Sequence, residues 1–185
     1  MLAPRKALGF LNSRIVTPNI LEETFHSCTP YSFGNNQAIK WAVQPLKTIT
    51  DVMPDHPGEN FLRERLIEDL SPVSKNEVAF ELFVQFQDDE AGDSIDDSAV
   101  PWKGKFHKVA TLKMASQDLN SSERILKDQR MNFCPAQTIR EHAPLGTVNL
   151  IRAQVYTALA LERKKSSEPG QTRFHKTLPQ ETQHV

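Results

Sequence analysis

The spacing of apolar positions changes several times along this chain, and each change marks an element. In "EVAFELFVQFQ", Val78, Phe80, Leu82, Val84 and Phe86 recur at every second residue, while Glu81, Gln85 and Gln87 take the other face. That alternation predicts a strand with one buried face. In "TPYSFGNNQAIKWAVQPL", Ile39, Trp41 and Val43 alternate with Lys40, Ala42 and Gln44, which predicts a second, half-buried strand. Gly34, Asn35 and Asn36 precede it and tolerate positive φ, so they supply a turn, and the stretch reads as a strand pair or a bent strand. "KFHKVATLKMASQ" reads as a further strand, with Ala110, Leu112 and Met114 on one face.

Elsewhere the period is helical. "NFLRERLIEDL" sets Leu62, Leu66 and Leu70 on one stripe and is stopped by Ser71-Pro72. "NSSERILKDQR" predicts a short helix, with Asn120 and Glu123 spaced as a capping box. "NLIRAQVYTALALERKK" predicts a longer one, with Ile151, Val155 and Leu159 on an apolar stripe. "DVMPDHPGE" is a loop by its prolines and glycine. The carboxylates of "DDEAGDSIDDSAVPWKG" depart from calcium-loop spacing, so this stretch reads as a solvated acidic loop. In "NFCPAQTIREHAPLG", Pro135 and Pro144 restrict the backbone and Gly146 permits a tight entry to the last helix. The expected organisation is an arm over residues 1–19, one domain over 20–163 and a disordered polar tail over 164–185. Antiparallel strands with flanking helices make an α+β unit or part of a larger barrel.

Composition narrows the function classes. The 185 residues are 38% hydrophobic and 24% charged, as in a soluble globular protein, and a net charge of -1 argues against a nucleic-acid partner. No apolar run approaches the roughly 18 residues of a membrane span, and a cytoplasmic location is the default expectation. The two cysteines, Cys28 and Cys134, lack metal-ligand spacing and are expected to be buried, inert thiols. The six histidines include no H-x-x-x-H pair, so a zinc-enzyme helix is unsupported.

Arg152 and Tyr156 stand four residues apart, so a helix brings them to one face. A phenol with a pKa of about 10 is a poor ligand when protonated. A guanidinium beside it favours the phenolate, a hard oxygen donor suited to ferric iron. On a surface helix, the same pair can also be a cation stacked on a ring.

Read together, four segments resemble the haem catalase family, in particular its smaller catalase-related members. "TPYSFGNNQAIKW", "FELFVQFQ" and "FHKVATLKM" are similar to strands of the family barrel. "NFCPAQTIREHAPLGTVNLIRAQVY" resembles the longer stretch that carries the proximal haem ligand. The resemblance spans about residues 20 to 163 in family order. It implies part of a catalase-like antiparallel β-barrel and a haem cofactor, with Tyr156 as the iron ligand and Arg152 holding it as phenolate. Arg163, two turns after Tyr156, would meet a haem propionate, with a charge at the helix C-terminus as its other reading. His142 is a candidate supporting group that also fits a surface or cap position.

The implied substrate is hydrogen peroxide or an organic hydroperoxide. In the family, the distal histidine and asparagine precede everything matched here, and residues 1–20 contain no histidine. A truncated chain is therefore expected, with no assigned distal catalytic residue and with open strand edges available for self-association. The alternative is a non-enzymatic partial-barrel remnant or interaction module that binds no haem.

Overall fold

The computed structural model describes residues 16–47, 51–74, 77–98 and 100–166. The N-terminal arm as far as residue 15, and the polar tail from residue 167, lie outside the described residues. Five strands form one antiparallel sheet: β1 (Phe25–His26), β2 (Tyr31–Phe33), β3 (Gln37–Pro45), β4 (Val78–Phe86) and β5 (Phe106–Met114). Among the described residues, three α-helices accompany it: α1 (Phe61–Leu70), α2 (Ser122–Arg130) and α3 (Gly146–Ser166). The fold is mixed α+β, and the sheet is not closed into a barrel.

Local chemistry accounts for the central pairing. Gly34 takes φ 68, which allows the tight return that sets Phe33 opposite Gln37. β3 then runs against β4 with Trp41 opposite Val84 and Val43 opposite Leu82, so the apolar positions of both strands share a face. At one end of that face, Leu66 and Leu70 of α1 pack with Leu21, Val43, Val78, Phe80 and Leu119 to form the main core. The stripe of α1 and its stop at Ser71 follow the periodicity.

Three expectations need correction. First, Gln85 was assigned to the solvent face, yet it is 6% exposed, and Ala42 of β3 is fully buried. The loop between β4 and β5 folds back over this second face. The Gln85 amide donates to the carbonyls of Trp102 (3.0 Å) and Gly104 (2.6 Å), so its burial leaves no donor stranded. The acidic loop is therefore packed. Asp93 is buried and accepts from the amides of Asp88 and Lys103, while the Trp102 indole donates to the Ser94 carbonyl.

Second, Ala110, Leu112 and Met114 do share a face of β5, opposite Leu82, Phe80 and Val78, but every residue of β5 is exposed. This strand is the sheet edge, paired with β4 on one side. A bulge falls where Leu82 faces Ala110 and Phe83 faces Lys108, which leaves Val109 without a partner and bends the strand. Third, α2 is capped by Ser121, whose hydroxyl accepts from the Arg124 amide. Asn120 lies one residue too early and accepts from Arg63 instead. Helix α3 also extends past the expected tail boundary, through Lys164 and Lys165 to Ser166.

Candidate functional site

The proline loop has a specific structural task. It runs along the outer edge of β2, where Ser32 donates to the Ala143 carbonyl (2.8 Å), Gly34 to Glu141 (3.0 Å) and Leu145 to Pro30 (3.0 Å). The β2 edge is thus covered, and the chain is aimed directly into α3. At the helix start, Gly146 has φ 80, and a Cβ there would meet the Ile95 carbonyl oxygen at 2.8 Å. Only glycine combines that backbone with that close approach. Asp96 accepts from the Thr147 amide at 2.7 Å, capping an orphan donor of the first turn. That hydrogen bond from the Thr147 backbone holds the Asp96 carboxyl below its ordinary 3.8. Seen from the sequence as solvated, the acidic loop supplies the cap for the helix that carries the candidate site.

Three residues further on, Asn149 is fully buried with both ends of its amide satisfied. Its Nδ2 donates to the carbonyls of Pro30 (2.8 Å) and Leu145 (2.9 Å). Its Oδ1 accepts from the Thr29 hydroxyl (3.0 Å) and from Arg152 Nη1 (2.9 Å). Arg152 Nη1 also donates to Thr29 Oγ1 (2.8 Å) and to the Tyr31 phenol oxygen (3.4 Å). These contacts tie α3 to the start of β2. Partial burial works against the charged guanidinium, but hydrogen bonding with the phenols of Tyr31 and Tyr156 outweighs it. The Arg152 pKa is therefore raised, and the group is a fixed cation. Among the described residues it pairs with no carboxylate.

Arg152 and Tyr156 share α3 as the spacing predicts, with the guanidinium carbon 5.7 Å from the centre of the Tyr156 ring. Tyr156 is 36% exposed, so its phenol is reachable from outside. Arg163 is on the same helix but turns to another neighbour: Nη2 donates to the Met131 carbonyl at 3.0 Å, and the guanidinium stands over the Phe133 ring at 5.8 Å. The stripe of Ile151, Val155 and Leu159 is exposed, and the helix instead buries Asn149 and Ala160. Of the two thiols, Cys134 is buried as expected, whereas Cys28 is exposed. His142 is exposed, with Nδ1 3.4 Å from the Ser32 carbonyl and its ring 5.7 Å from that of Phe33.

Beside this network lies a cavity of about 460 Å³. The sheet contributes Phe33, Ile39, Trp41 and Val84 to its wall, and the proline loop contributes Cys134 and His142. Tyr31 lines it too, so Arg152 reaches the cavity through one phenol and stacks on another. Sequence reasoning singled out Arg152, Tyr156 and Arg163 but missed Thr29, Tyr31 and Asn149. Asn149 stands three residues before Arg152, a helical neighbour spacing that was legible. The β2 partners, more than a hundred residues away, carried no such signal.

Among the described residues, no group of His, Cys, Asp and Glu could hold a bare metal ion. One accessible phenol beside a fixed cation does suit an iron that arrives with its own porphyrin nitrogens. The residues present fit such a group.

No family model matches the chain, and no curated protein matches it. Among solved structures, it is similar in fold to a fungal catalase crystal structure, with a TM-score of 0.65 and 13% sequence identity. The match covers 81% of this chain and 33% of the catalase, so the chain spans about a third of that protein's length. At this identity the likeness concerns the fold: an antiparallel sheet with flanking helices that is related to a catalase but open at an edge.

Proposed function

We propose that this chain is a catalase-like haem-binding unit whose substrate class is hydrogen peroxide or organic hydroperoxides. Tyr156 would hold the iron through its phenol oxygen. The observation that carries this reading is the setting of Arg152: a cation held by Thr29 and Asn149, stacked on the Tyr156 ring and paired with no carboxylate among the described residues. A positive charge fixed there attracts an anionic group bound beside it. The fold likeness to a catalase points the same way. When bound, the haem would supply the redox chemistry towards peroxide. The protein's part is to present one oxygen donor, hold a cation behind it, and keep the helix angle fixed through Pro30, Leu145 and Asp96. Arg163 would serve a propionate by exchanging its Met131 contact for the anion.

The test is an absorbance titration with haemin. Wild type is expected to develop a saturable Soret band, Tyr156→Phe to lose it, and Arg152→Ala to keep a weaker one that depends more steeply on pH. Equal haem affinity in wild type and Tyr156→Phe would reject the ligand assignment.

A second reading is favoured by one observation. All nine residues of β5 are exposed, and they include Phe106, Val109, Leu112 and Met114. An apolar, unpaired edge strand is a template for another strand. On this reading the chain is a partial-barrel interaction module that self-associates through β5 and binds no haem. Concentration-dependent dimerisation together with an absent Soret band would select it.

A further inference from the structure

We propose that the cavity between the sheet and the proline loop binds a small molecule with an apolar chain and a carboxylate head, and that Tyr31 is the donor that reads the head. The cavity, about 460 Å³, is of the size of small-organic-ligand sites, which run from about 300 to 1,000 Å³. Its wall is largely aliphatic and aromatic, through Phe33, Ile39, Trp41 and Val84, and among the described residues no Asp, Glu, Lys or Arg lines it. Such a wall accepts an alkyl chain, but it offers an ionised head no charge of its own.

The charge stands behind the wall. Arg152 donates to the Tyr31 phenol oxygen at 3.4 Å, which occupies an acceptor position and leaves the phenolic hydrogen available to a ligand. Donation into that oxygen also polarises the O–H bond, so the phenol becomes a better donor. Because Arg152 meets only neutral oxygens among its hydrogen-bond partners in the described residues, no carboxylate among them cancels its positive field at this end of the cavity. A carboxylate buried without a donor is costly, and Tyr31 supplies both the donor and, through Arg152, the favourable potential. His142 stands at the same strand, against Ser32 and Phe33, and adds a polar group to the rim. None of the cavity-lining residues belongs to α3. The site therefore does not depend on Tyr156 or on haem.

The experiment titrates haem-free protein with decanoate and with decanol and follows tryptophan fluorescence. Trp41 is in the cavity wall, whereas Trp102 packs on the other face of the sheet beneath the acidic loop. Decanoate is expected to give a saturable change and to bind about ten-fold more tightly than decanol. Tyr31→Phe should weaken decanoate by about ten-fold, the scale of one hydrogen bond to a charged group, with decanol unaffected. Val109→Phe, at the exposed bulge position that also lines the cavity, should weaken both ligands by filling space. Circular dichroism would establish that each variant is folded; should Tyr31→Phe not fold, the decanoate-to-decanol ratio and Val109→Phe decide the matter. Equal affinity for the two ligands, no saturable change, or undiminished decanoate binding in folded Tyr31→Phe would overturn the proposal.

Discussion

Among the described residues two asparagines, Asn19 and Asn149, are fully buried, and each is joined to a network containing an arginine. Around Asn19 the arginine meets acids. Asn19 Nδ2 donates to Asp69 (2.7 Å) and Asp51 (2.9 Å), and its Oδ1 accepts from the Leu21 amide. Arg65 closes that network: Nη2 lies 3.1 Å from Asp69, and Nε lies 2.9 Å from Asp51 without hydrogen-bond alignment. Around Asn149 the arginine meets neutral oxygens from Thr29, Tyr31 and Asn149 itself. In the first network the Asp51 and Asp69 carboxylates outnumber the one guanidinium, so no positive charge is left over, and the network ties the N-terminal turn to α1. The second fixes a cation and leaves its charge available to an anion. Satisfied hydrogen bonds alone do not separate a structural network from a functional one; the charge balance does.

The largest effect expected from this contrast is at Asp69, whose side chain is 1% exposed. Asp69→Ala would remove the buried acid shared by Arg65 and Asn19, leave them only Asp51 from this network, and should cost about 2 kcal/mol in urea unfolding, the scale of hydrogen bonds to a charged group. Arg152→Met should cost only about 1 kcal/mol, because it removes hydrogen bonds to neutral groups at a half-buried position, while it abolishes the selectivity for anionic ligands. Comparable losses for the two variants in the same urea series would erase the distinction between the networks.

The smallest effect concerns the Asp96 cap. The folded-state pKa of Asp96 is depressed below 3.8, chiefly by the Thr147 amide, so its stabilisation is present above the unfolded carboxylate value and is lost as pH falls through the folded one. Asp96→Asn should change little near neutrality, since an amide oxygen still accepts from Thr147. It should flatten the acid limb of the stability profile below about pH 4. Amide exchange at Thr147 reads this directly: wild type should lose protection on acidification, whereas the variant should change less. An unchanged acid limb would mean that Asp96 contributes no ionised cap.

Much of this architecture was legible before any tertiary contact was known. β3 and β4 followed from alternation, α1 from its leucines, and the hairpin from Gly34. The helical spacing of Arg152 and Tyr156 was correct, and so was their meeting. The failures have a common form. Gln85 looked solvated because its neighbours alternate, but the loop carrying Trp102 covers that face and satisfies its amide. Leu112 and Met114 looked core-facing because they alternate, but among the described residues β5 pairs only with β4 and every one of its positions is exposed. The acidic loop looked free because it is charged, but Asp93 and Asp96 spend their oxygens on backbone amides.

The sequence by itself determined which segments are strands and helices, because side-chain periodicity is a local property and each element needs one coherent face. It also determined that Arg152 and Tyr156 share a helix turn. Only the tertiary structure decided that Arg152 would be held by residues of β2 and its approach, across sequence separations of 121 and 123. Only it decided that Asn149 would bridge Pro30 to Leu145, and that the cation would meet no carboxylate among the described residues. Those outcomes rest on burial, which obliges every polar group to find a partner wherever the chain happens to bring one. Periodicity states which face turns inward, but it does not say what will be waiting there.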